Sequence, residues 1–230
     1  MAFPIDRIFS APDPIDPHLR RWMLFVDGEN VTLRGQALAE SRGIVLEPGP
    51  RFKRDVFLWL EHPWPARAAL SHELRGIGVR GTAERAFYYT SMSGDDDAIT
   101  DVRESLWALG FTGEVFKKQR KDIKAKGVDI ALTKDLLSNA FLDNFDVAVV
   151  MTGDADYRPV IAELKRLGKM VCLMTFTEGG AKVNRELKLS ADFFIPVDDV
   201  FMHFRRRPQE AAGLSTSDHS GSTDERRRDG

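Results

Sequence analysis

DVAVVMTGDADYRPVIAELKRLGKMVCLMTF, residues 146–176, decides the fold. DVAVVM (146–151) is a short continuous apolar run, the length of a strand buried on both faces. VIAELKRLG carries the spacing of a helix, with Pro159 suited to its first turn. KMVCLMTF is a second buried strand. Strand, helix and strand in this order make a parallel unit, and the pattern extends outward. WMLFV (22–26) is a strand and VTLRGQALAES a helix ending near Gly43. RDVFLWL (54–60) and RAFYY (85–89) read as strands, with a helical ARAALSHEL between them. A helix in ITDVRESLWALG, a strand in GEVFKKQ and a helix from Val128 to about Asp143 precede the opening stretch, and a short strand near DFFIPV follows it. The alternation predicts an α/β fold with a mainly parallel central sheet covered by helices on both faces.

The chain has 230 residues, ample for one sizeable core, and a formal net charge of −2. That charge offers no global attraction to nucleic acid, so such a partner needs a local basic surface. The one cysteine, Cys172, excludes an intramolecular disulfide and a cysteine-based zinc site, and its apolar setting predicts a core thiol. No signal peptide is read at the N-terminus and no run approaches the ~20 apolar residues of a membrane helix, so a cytoplasmic protein without membrane contact is expected. Residues 1–20 carry four prolines and read as an extended arm; residues 21–205 form the domain; residues 206–230 form a polar tail whose composition predicts disorder. The arm and the tail are the segments open to a protein partner. Residues 44–82, with prolines at 48, 50, 63 and 65, are the least readable part.

The carboxylates stand where chemistry is expected. Asp27 directly follows WMLFV, and Asp154 and Asp156 follow DVAVVM. In an open parallel sheet the binding crevice lies outside the carboxyl ends of the strands, so neighbouring strands would bring these three together. Asp129 falls in the first turn of the helix after Gly127, where the helix dipole favours a carboxylate. Crowded carboxylates repel unless a cation intervenes, and a hard divalent ion takes oxygen ligands. Such a site can activate water against a phosphodiester. Plain structural roles compete. Asp27 in DGEN and Asp156 before Tyr-Arg-Pro are each suited to capping the helix that follows.

FVDGEN, KGVDIALTKDLL and VVMTGDADYRPVIAELKRLGKMV occur in the order seen in NYN domains of the LabA-like group, within the PIN-like nuclease superfamily. The resemblance covers roughly residues 21–200. It implies a PIN-like Rossmannoid three-layer α/β/α sandwich, a metal-binding acidic centre using Mg2+ or Mn2+, and activity on RNA. Carried over, the acidic positions are Asp27, Asp129, Asp154 and Asp156, as catalytic residues and metal ligands. Asn30 matches the polar residue ending the first motif and Thr152 the small hydroxyl residue before Gly-Asp. PIN-like domains often pair, so a homodimer is an expectation. Residues 1–20, the proline-rich 44–82 and the tail match nothing in the family pattern.

Remaining signals concern substrate. FKKQRKDIKAKG (116–127) sets Lys117, Lys118, Arg120, Lys121, Lys124 and Lys126 before Asp129, suited to phosphate contacts or simply a solvated loop. Lys126 and Lys134, near Asp129, and Arg158, after DADY, are the individual candidates; Lys182 in TEGGAKVN is a further one. Tyr88 or Tyr89 could stack on a base, although core packing suits at least one of them. SGDDDAITD (93–101) reads as helix capping rather than a metal loop. Two other functions stay open: a catalytically weak domain that binds RNA or recruits a regulatory partner, and a structure-specific DNA nuclease.

Overall fold

The computed structural model describes residues 20–59, 78–79, 83–118, 127–180 and 182–198. The expected arm and tail, the ARAALSHEL helix and Lys126 lie outside these residues.

Six parallel strands form the sheet: β1 (Trp22–Asp27), β4 (Arg85–Met92), β5 (Thr112–Lys117), β6 (Val147–Met151), β7 (Met170–Thr175) and β8 (Phe193–Pro196). Their order is β5-β4-β1-β6-β7-β8. The sheet therefore grows one way from β1 through β4 and β5, and the other way through β6, β7 and β8. The chain reverses direction across the sheet at β1, which makes the carboxyl end of β1 the topological switch point where α/β folds bind ligands. Trp22 pairs with Val147 and Val26 with Met151, so β1 and β6 are direct neighbours, as the convergence of the aspartates requires.

Two apolar cores explain the continuous runs. On one face, Trp22, Leu24, Val26, Val147, Val149 and Met151 pack against helices α1 (Gly28–Ser41) and α2 (Asp96–Ala108). On the other, Met23, Phe25, Ala148 and Val150 pack against α3 (Val128–Phe141), α4 (Arg158–Arg166) and α5 (Arg185–Ser190). Every residue of β6 is buried, and each such valine contributes roughly 1.5–3 kcal/mol on leaving water. The core face expected for α3 is realised by Val128, Leu132, Leu136 and Ala140. Gly127 admits the chain to this helix at φ +126°, a conformation side chains rarely adopt.

Residues 54–60 depart from expectation. Instead of one strand of the main sheet, β2 (Phe52–Lys53) and β3 (Phe57–Leu58) form a separate antiparallel pair. Asp55 turns the chain at φ +61°, and its backbone N–H and carboxylate bond the Gln36 side chain at 2.8 Å each. Leu58 bonds the Tyr88 hydroxyl through its N–H at 3.1 Å rather than joining the main sheet's ladder. Tyr88 and Tyr89 are both fully buried, on opposite cores, so neither is free to stack on a base. Cys172 is buried as expected, with its thiol pushed up to about 12 by burial. The acidic 93–101 segment serves as structure: Asp95 caps α2 by accepting from the Ala98 N–H at 2.9 Å.

Candidate metal centre and active site

Asp27 ends β1 and caps α1. Its Oδ1 accepts from the Asn30 N–H at 3.2 Å, and its Oδ2 accepts from the Thr152 hydroxyl at 2.9 Å. The capping role expected of Asp27 is thus met, and its second oxygen ties it to the segment after β6. Thr152, buried just past β6, also accepts from the Asp154 N–H at 3.1 Å through Oγ1, so one hydroxyl ties the two acidic positions together. Asp154 in turn caps the 3-10 turn Ala155–Tyr157, accepting from the Asp156 N–H at 3.0 Å. Asp156 does not make the cap expected of it: α4 starts after Tyr157 with no side-chain cap bond, and Asp154 caps only the 3-10 turn. Asp156 itself is exposed.

Asn30 reaches across the strand ends. Its Oδ1 accepts from the Gly153 N–H at 2.8 Å and from Arg34 Nε at 3.1 Å. Arg34 also donates to the Gly153 carbonyl at 3.3 Å and the Phe176 carbonyl at 3.5 Å.

Asp129, in the first turn of α3, accepts from the Tyr157 hydroxyl at 3.2 Å. That hydroxyl locates the acidic centre. Burial first, then the charges of Asp27, Asp129 and Asp154, push its pKa far above the ordinary tyrosine value. Of the three carboxylates, Asp129 is the one bonded to this hydroxyl. The chain's topology brings together Asp27, Asp129 and Asp154, and sets Asp156 on the exposed side of the same turn.

A model of the NYN domain matches residues 21–198. The chain belongs to the NYN domain family. That family sits in the PIN-like nuclease superfamily. Among solved structures, a protein of unknown function from Vibrio parahaemolyticus is similar, at 20% identity and a TM-score of 0.51, covering 81% of this chain and 98% of its own. This likeness supports the fold alone. No functionally curated protein matches.

PIN-like nucleases generally use divalent metals. In this NYN domain the donors around Tyr157 are carboxylate oxygens, the ligands of a hard cation. Among the described residues no three Asp, Glu, His or Cys side chains stand close enough to hold one ion between them. Mg2+ does not require such a cage: it keeps several waters and takes one or two carboxylates together with substrate phosphate. The donor set fits an ion held in that way.

The basic candidates spread more widely. Arg158 lies 3.8 Å from Glu186, and Lys134 lies 3.2 Å from Asp135. Lys182 is exposed in the loop after β7, with no described contact to the carboxylates. Of the basic run, Lys117 pairs with Asp96 at 2.8 Å and Lys118 with Glu29 at 3.0 Å, so both ammonium groups already face carboxylates.

Four further side chains make bonds between elements near these positions. Tyr157 was visible only as the last letter of DADY. Glu29 stands inside DGEN, bonded to Ser91 at 2.9 Å as well as to Lys118. Asp135 accepts from the buried Tyr89 hydroxyl at 2.9 Å. Arg34 lies one helical turn after Asn30, a spacing that could have flagged it.

Proposed function

We propose that this NYN domain is a divalent-metal-dependent ribonuclease of the LabA-like group, hydrolysing RNA phosphodiesters with Asp27, Asp129, Asp154 and Asp156 as its acidic centre. The observation that carries the reading is the Thr152 hydroxyl, which bonds both the Asp27 carboxylate and the Asp154 N–H at the sheet's switch point, while the Tyr157 hydroxyl of the same segment donates to Asp129. A divalent cation bound by one or two of these carboxylates would offset the repulsion between like charges carried to one edge of the sheet. Mg2+ or Mn2+, when bound, supplies an activated water and neutralises charge on the phosphoryl group.

The chain's own groups do the rest. Thr152 and the Asn30 amide hold both oxygens of Asp27 in fixed directions. Tyr157 remains protonated and donates to Asp129, leaving that carboxylate to orient the attacking water and accept its proton. Arg158, Lys182 and Lys134, with Lys126, bind phosphates flanking the scissile bond, and Asn30 and Thr152 shape the floor beneath it. Water attacks phosphorus and the P–O3′ bond breaks. The products are a 3′-hydroxyl and a 5′-phosphate.

The test is cleavage of a labelled RNA pool, and of matched DNA strands, by wild type and Asp154→Asn with EDTA, Mg2+ or Mn2+. Expected is metal-dependent RNA cleavage, lost in the variant, with 5′-phosphate ends. A 2′,3′-cyclic phosphate would overturn the mechanism, because it requires attack by the ribose hydroxyl. Preference for DNA would make the domain a structure-specific DNA nuclease. Retained RNA binding without cleavage by either chain would make it a binding or partner-recruiting module.

A further inference from the structure

We infer that Arg34 is a positioning residue for the acidic centre: its guanidinium clamps Gly153 and thereby sets the direction in which Asp154 is presented. The inference rests on the nuclease reading for its consequence, though not for its geometry.

Gly153 lies between Thr152, which bonds Asp27, and Asp154. Both of its backbone groups are held from α1: the N–H by Asn30 Oδ1 at 2.8 Å and the carbonyl by Arg34 Nη2 at 3.3 Å. Arg34 Nε also donates to the same Asn30 oxygen at 3.1 Å, fixing the side chain that holds the glycine. Its remaining nitrogen, Nη1, reaches the Phe176 carbonyl at 3.5 Å, past the end of β7. One planar fork thus links α1 to the segments leaving two neighbouring strands. A lysine has a single ammonium and cannot reproduce three donors fixed in one plane.

The glycine is shaped to this arginine. A Cβ on Gly153 would stand 2.3 Å from Arg34 Nε, 2.5 Å from Cζ and 2.6 Å from Nη2, so the guanidinium lies directly on the backbone. No positive φ accounts for this glycine; the space is taken by the clamp. Because the obstructing atoms end a flexible side chain, Gly153→Ala should not unfold the loop. It should push the arginine off its acceptors, and so reproduce the loss of Arg34 itself.

That equivalence gives the test. Wild type, Arg34→Met, Arg34→Lys, Gly153→Ala and the double variant Arg34→Met/Gly153→Ala are compared by hydrogen exchange across residues 152–157 and by RNA cleavage with Mn2+. Expected is faster exchange at the Gly153, Asp154 and Asp156 amides in every variant, with β6 amides unchanged. The double variant should be no worse than either single change, as for two substitutions that break one interaction. In cleavage, kcat should fall on the order of 100-fold with KM within about twofold, because the loss is one of alignment rather than binding. Arg34→Lys should not rescue it.

Additive effects in the double variant, or unchanged exchange in Arg34→Met, would overturn the clamp. Altered exchange with unchanged kcat would show a merely structural contact and overturn the positioning role. If wild type cleaves no RNA, the nuclease reading fails and the positioning role falls with it, while the exchange cycle still decides the clamp.

Discussion

Thr152→Val offers the sharpest perturbation of the centre, because it keeps the buried shape nearly constant and deletes one oxygen. That oxygen donates to Asp27 Oδ2 at 2.9 Å and accepts from the Asp154 N–H at 3.1 Å. A hydrogen bond to a charged group contributes about 1.5–3 kcal/mol and a neutral one about 0.5–1.5 kcal/mol. Asp154 is only partly buried, so water can replace the second partner, and the net loss should be about 2–3 kcal/mol. For a domain of this size that lowers Tm by about 4–12 °C.

Thr152→Ser is the control. It keeps the hydroxyl and loses one buried methyl, at about 1 kcal/mol. Denaturant unfolding of the three proteins separates the terms. A Val variant unfolding at the wild-type midpoint, or a Ser variant as weak as Val, would refute the view that this hydroxyl holds the two aspartates. In the nuclease assay the Val variant should also lose about 10–100-fold in activity, the usual cost of losing a group that orients a metal ligand.

Other perturbations probe the frame. Burial raises the Asp146 carboxyl, but the hydrogen bonds and charge of Arg21 outweigh it and hold it below the ordinary value. A depressed folded pKa gives stability that is present above the unfolded value near ~4 and lost as pH falls through the folded one. Asp146→Asn should therefore cost about 1 kcal/mol at pH 7, a figure discounted for a side chain more than a third exposed, and the difference should shrink in unfolding curves as acid protonates the folded carboxyl. Cys172, buried and with its pKa raised to about 12, should react with a thiol reagent only at the rate of unfolding; stoichiometric reaction within seconds in native buffer would contradict its burial. Gly179→Ala should destabilise by about 3 kcal/mol or more, read by thermal melting, because φ is +74° and the new Cβ would meet the Leu38 backbone at 2.2 Å.

The central strands were legible because both faces of β1, β6 and β7 are buried, so their sequences carry no polar interruption. The same signal misled at residues 54–60. Phe57, Leu58 and Trp59 are equally apolar, yet their cover is one core alone, and the turn at Asp55 depends on a left-handed residue and the distant Gln36. Aspartate tolerates that conformation, but nothing near it in the sequence announces it. Asp27 and Asp154 were placed at neighbouring strand exits because position after a strand is a local property. Arg34 and Tyr157 were not singled out, because their importance arises only when α1, α3 and the segment after β6 meet.

Capping and the proposed metal binding need not compete at Asp27 and Asp154. A carboxylate free to rotate would swing away from its like-charged neighbours, and the site would open. The cap bond prevents this by holding one oxygen against the first turn, as Asp27 does with Asn30 and Asp154 does with Asp156. Carboxylate oxygens each accept more than one bond, so a cap bond does not by itself exclude a cation. The dipole of α1 at its first turn offsets part of the cost of placing the Asp27 charge there. Two like charges at a strand exit are thus tolerable because backbone N–H groups hold them. The rigidity that makes them good caps is the rigidity a metal ligand needs.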